Sequence, residues 1–82
     1  MNYQQELIKE YEEAGYTVLK IIRLNKAGYP DLMLLKDGEV IFVEVKEEKD
    51  TLKPLQKKRI DELKQLKFDA YCIQKNKGKI YG

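Results

Sequence analysis

With 82 residues, this chain has room for one small domain, residues 1–82, whose single core is only marginally sufficient, so a homodimer is expected. The lone Cys72 rules out an internal disulfide framework, no apolar run is long enough to span a membrane, and Met1 to Glu6 lacks the basic and apolar regions of a signal peptide; together these predict a soluble cytoplasmic protein. A net charge of +2 is too small to identify a nucleic-acid binder, yet residues 1–52 hold 7 Lys/Arg against 11 Asp/Glu and residues 53–82 hold 9 against 3, which leaves a basic C-terminal part available to phosphates.

Tyr3, Leu7, Tyr11 and Ala14 form one stripe, predicting a helix from about Asn2 to Ala14 that Gly15 ends. Tyr16 to Arg23 reads as a strand, and Asn25 to Gly28 as the loop after it. Asp31 to Leu35 is a strand, Lys36-Asp37-Gly38-Glu39 a hairpin turn, and Val40 to Lys46 a β-branched and aromatic strand. After the charged loop Glu47-Glu48-Lys49-Asp50, a second helix is predicted from about Pro54 to Leu66, with Leu55, Ile60, Leu63 and Leu66 as its apolar stripe. Asp69 to Gln74 is a further strand, and Asn76-Lys77-Gly78 turns into a short last one at Lys79 to Tyr81.

The hairpin carries the chemistry. If Asp37-Gly38 is a two-residue turn, Lys36 pairs with Glu39 and Asp31 falls opposite Glu44; a three-residue loop with a bulge at Gly38 would shift the pairing by one. Opposed carboxylates repel, and a divalent metal between them removes the conflict. Strand alternation puts Lys46 on the same face as Glu44, so Asp31, Glu44 and Lys46 converge at the open end of an otherwise apolar hairpin. Both hairpin faces are apolar elsewhere, which predicts a sheet covered on two sides. Gln56, four and seven residues before Ile60 and Leu63, points toward the sheet from the start of the second helix.

Pro30-Asp31 followed by Glu44-Val45-Lys46 resembles the PD-(D/E)XK nuclease superfamily. Gly28-Tyr29-Pro30-Asp31, Phe42-Val43-Glu44-Val45-Lys46 and Gln56 together resemble more closely the virus-type replication-repair nuclease (VRR-NUC) domain. The resemblance implies an α/β, restriction-endonuclease-like core of order αβββαβ, with a mixed central sheet flanked by helices. It also implies an Mg²⁺- or Mn²⁺-dependent DNA endonuclease of the stand-alone phage type, in a bacterial or phage-infected host cell, acting as a homodimer on branched DNA such as four-way (Holliday) junctions. Asp31, Glu44 and the Val45 carbonyl would hold metal. Lys46 would orient and help deprotonate water or stabilise charge at phosphorus, and Gln56 would hydrogen-bond within the site. The first helix would add a carboxylate through water, from Glu6 or Glu10, with Glu6 preferred because it flanks the stripe of Tyr3 and Leu7.

Arg23, Lys26, Lys49 and Lys53 border the motif and are candidate phosphate contacts. Tyr3, Tyr11, Tyr71 and Tyr81 are candidate dimer-interface residues. The rival readings are a flap or restriction-like nuclease on the same fold, and a catalytically inactive nucleic-acid-binding module.

Overall fold

The computed structural model describes residues 1–82 and runs α1 (Tyr3–Glu13), β1 (Thr17–Lys20), β2 (Leu32–Lys36), β3 (Glu39–Lys46), α2 (Pro54–Gln65), β4 (Asp69–Gln74) and β5 (Gly78–Tyr81). The strands form one sheet in the order β1-β2-β3-β4-β5, in which only β3 and β4 are parallel. That parallel pair requires a crossover, and α2 supplies it.

Asn2 opens α1 through a capping box: its Oδ1 accepts from Gln5 N at 2.8 Å, while Gln5 Oε1 accepts from Asn2 N at 2.9 Å. At the other end the Lys36 ammonium donates to Ala14 O at 2.8 Å, and Gly15 adopts φ +97° to leave the helix. The two-residue turn predicted at Asp37-Gly38 forms with φ of 52° and 78°, both in the left-handed region that a tight hairpin needs. Lys36 therefore faces Glu39, and Leu32 faces Val43.

Alternation along β2 and β3 divides the core into two layers. On one side Leu32, Leu34 and Val43 pack under α1 with Ile8, Tyr11 and Val18; on the other Ile60 and Leu63 of α2 pack with Leu52, Ala70, Cys72 and Phe42.

Two elements differ from expectation. The first strand ends at Lys20 rather than Arg23, because its partner β2 begins at Leu32, opposite Lys20. Past that point only Ile21 N reaches across, to Asp31 O at 2.8 Å, and Ile22 is 88 % exposed. In α2, Leu55 and Leu66 are exposed while Ile60 and Leu63 are buried. Leu55 lies about 140° round the helix from Ile60, and Leu66 is the C-cap beyond the last turn. Leu52, ahead of the helix, fills the core instead.

Gly28 joins the motif loop to α2. Its φ is +86°, and a Cβ there would sit 2.6 Å from Leu55 Cγ and 3.0 Å from Leu55 Cδ2. Arg59 closes the same contact, donating from Nε to Ala27 O at 2.9 Å with its guanidinium 4.8 Å over the Tyr29 ring. Gly28→Ala is therefore expected to cost about 1–2 kcal/mol from the left-handed backbone alone. Urea denaturation checks this, and a wild-type midpoint would contradict it.

Candidate active site

At the open end of the hairpin, β2 stops one residue short of Asp31 and the side chain of Asp31 takes over from the ladder. Its Oδ2 accepts from Val45 N at 3.0 Å, while its own carbonyl accepts from Ile21 N. Asp31 is thus fixed through both backbone and side chain. Within a strand the carbonyl of a residue points the same way as its N–H, so the Val45 carbonyl is directed to this side as well.

Glu44 is 3 % exposed, and its Oε2 accepts from Gln56 Nε2 at 3.2 Å and lies 3.5 Å from Lys46 Nζ. Gln56 Oε1 accepts from Lys53 N at 2.9 Å, which commits that end of the amide to capping α2 and turns Nε2 to the carboxylate. Burial foremost, and then the charge of Asp31, raise the Glu44 carboxyl to about 7, with Lys46 pulling the other way. A carboxylate pair of this kind shares a proton or shares a cation. In register beside Glu44 sits Cys72, whose thiol burial and the Glu44 charge push up to about 11, making it a core residue with little thiolate character.

Sequence reasoning therefore placed Asp31, Glu44, Lys46, Val45 and Gln56 in one constellation, and the structure assembles all five. Glu6 and Glu10 are not brought into it. Both are exposed on α1, which packs against the opposite face of the sheet, and no third Asp, Glu, His or Cys joins Asp31 and Glu44. Arg23, Lys26, Lys49 and Lys53 are exposed on the loops around the site. Arg23 and Lys26 line a cavity of about 260 Å³ within the segment Ile21 to Tyr29.

Gln74 was missed. It is 4 % exposed, pairs in register with Lys46, and donates from Nε2 to the carbonyls of Glu47, Glu48 and Asp50 at 2.9, 3.1 and 2.6 Å. Those bonds tie down the loop that follows the motif lysine. A polar residue closing the buried alternation of Ala70 and Cys72 was the available signal.

The chain matches the VRR-NUC domain over residues 2–75. It belongs to the VRR-NUC family. That family falls within the PD-(D/E)XK superfamily, and the fold is the corresponding restriction-endonuclease-like one. A solved VRR-NUC domain superposes with a TM-score of 0.73 at 27 % identity, covering 84 % of this chain and 76 % of that one. The Holliday junction resolvase Hjc of Archaeoglobus fulgidus has the same fold at a TM-score of 0.69 and 18 % identity, over 89 % of this chain and 65 % of its own. UPF0102 protein RD1_1191 of Roseobacter denitrificans is 36 % identical over 66 residues, or 73 % of this chain and 51 % of that protein. The chain thus spans about half the length of the curated relative it matches. No helix of this VRR-NUC domain is long and apolar enough to cross a membrane.

Proposed function

We propose that this VRR-NUC domain is an Mg²⁺- or Mn²⁺-dependent DNA endonuclease acting on branched DNA, four-way junctions foremost. The observation that carries the reading is the convergence, at the end of one hairpin, of Asp31 and Glu44 with Lys46 3.5 Å from Glu44 and Gln56 3.2 Å from it. The donor set fits a hard divalent cation: two carboxylates, one of them raised by its burial and then by the other's charge, and a backbone carbonyl directed to the same side. Asp31, Glu44 and the Val45 carbonyl would hold it. When bound, such a cation polarises a phosphodiester and lowers the pKa of water.

The chain's own groups do the rest. The Lys46 ammonium, held by Glu44, would orient the attacking water and meet the charge that develops on phosphorus. Gln56 fixes the rotamer of Glu44, and Gln74 fixes the loop leaving Lys46. Arg23, Lys26, Lys49 and Lys53 would hold phosphates on either side of the cut. The junction preference draws support from the fold shared with the archaeal resolvase. It is tested by offering four-way junction, flap and plain duplex with and without Mg²⁺. Cutting of the junction foremost, and only with metal, is expected; flap-only or duplex-only cutting would transfer the site to another substrate, and no cutting would make the domain a binding module.

We further propose a homodimer, supported by the small core: 13 of 82 residues are buried. The tyrosines expected at the interface are occupied within the chain. Tyr11 and Tyr71 share a hydrogen bond of 2.7 Å, Tyr81 donates to Asp61, and Tyr3 is half-buried on α1. Leu19 and Phe68 are exposed instead, and Leu19 pairs with Met33 on the α2 side of the sheet, where α2 itself packs chiefly on β4. Sedimentation equilibrium at micromolar concentration should give twice the chain mass; a monomer, with junction cleavage rising only linearly in protein, would remove paired incision.

A further inference from the structure

Beside the site, between the loop at Asp50–Leu52, the first turn of α2 and β5, lies a cleft of about 270 Å³. Leu52 and Ile80 give it aliphatic walls, and Tyr81 gives it an aromatic ring. That ring is held in place, since the Tyr81 hydroxyl donates to both oxygens of Asp61, at 2.9 and 3.0 Å. Lys57 stands at the rim with its ammonium 5.8 Å over the ring. Asp50, the acid in the lining, spends its Oδ2 on Glu47 N at 3.1 Å.

The decisive group is Gln74. Its contacts with three carbonyls, which share the two N–H donors, can be made only by the amide nitrogen, so the orientation of the amide is fixed. Oε1 is thereby left without a partner in the chain, yet no buried polar side-chain atom of the protein is unsatisfied, so Oε1 reaches solvent. This nine-tenths-buried residue is itself part of the cleft lining.

We propose that the cleft takes an unpaired nucleobase of the DNA substrate next to the scissile phosphate, a subsite that rests on the nuclease reading above and adds to it. A flat π-face stacks on Tyr81 between aliphatic walls, an amino or ring N–H of the base donates to Gln74 Oε1, and Lys57 swings from the ring to the adjoining phosphate. The position suits this role: Gln74 is the register partner of Lys46, so the cleft adjoins the motif lysine. Ile80 and Tyr81 lie on β5, beyond residues 2–75 matched by the family.

The test is fluorescence anisotropy, with Ca²⁺ in place of Mg²⁺, on a labelled duplex carrying one unpaired nucleotide and on the same duplex fully paired. Wild type should prefer the first, and Tyr81→Leu should lose that preference, with affinity for the bulged DNA about tenfold weaker and the paired duplex unaffected. Lys57→Ala, at an exposed helix position, should narrow the same difference; if Tyr81→Leu also loses the paired duplex, Lys57→Ala alone decides. Equal affinity of wild type for both DNAs, or a preference that survives the variants, overturns the subsite while Mg²⁺-dependent cutting leaves the nuclease reading standing. Absence of both binding and cutting on every DNA overturns the two together.

Discussion

Asp31→Asn and Glu44→Gln should each reduce metal-dependent cleavage by at least about 10³-fold while leaving the fold intact. Each amide is isosteric with the acid it replaces, so the space that buried Glu44 fills stays filled. Glu44→Gln should in addition stabilise the metal-free protein in a pH-dependent way. The folded-state value of Glu44 is raised from 4.5 to about 7, so its favourable contribution is fully present below the unfolded value and is lost as pH rises through the folded one. A shift of that size is on the order of 3 kcal/mol. Urea denaturation should therefore find wild type and Glu44→Gln nearly equal at pH 4.5 and the variant clearly more stable at pH 8. Wild-type cleavage by both variants at equal purity would remove the carboxylate pair from the chemistry.

Lys46→Ala should lower cleavage by about 10²–10⁴-fold and keep its affinity for Mn²⁺ at pH 8. The ammonium lies 3.5 Å from Glu44 and acts, in this account, on water and phosphate rather than as a ligand. Calorimetric titration separates the two roles. A loss of Mn²⁺ affinity as large as that of Asp31→Asn would make Lys46 an organiser of the carboxylates instead.

The geometry of the candidate site was legible in the sequence because local rules fix it. An Asp-Gly turn sets the register, the register sets which residues oppose, and alternation sets the shared face, so Asp31, Glu44 and Lys46 followed from counting. Gln56 followed from helical spacing to Ile60 and Leu63. What failed was whatever depends on the reach of neighbouring elements. Ile21 to Arg23 are as apolar as a strand, but β2 begins too late to pair with them. Leu55 is helical and apolar yet half a turn from the buried face, where its use is to meet Gly28. Whether Glu6 meets the carboxylates depends on which face of the sheet α1 covers, and periodicity along one helix carries no such information. Gln74 and Arg59 tie loops through backbone carbonyls, contacts that leave no pattern in side-chain spacing.

Titration of Mn²⁺ into the wild-type protein, followed by calorimetry in two buffers of different ionisation enthalpy, tests most directly whether Asp31 and Glu44 hold a divalent cation. Binding should strengthen from pH 6 to about 7 and then level off, with protons released below that point as the cation displaces the one on Glu44, and it should vanish in Asp31→Asn. Mn²⁺ binding that is absent, or that is indifferent both to pH and to Asp31→Asn, would contradict it.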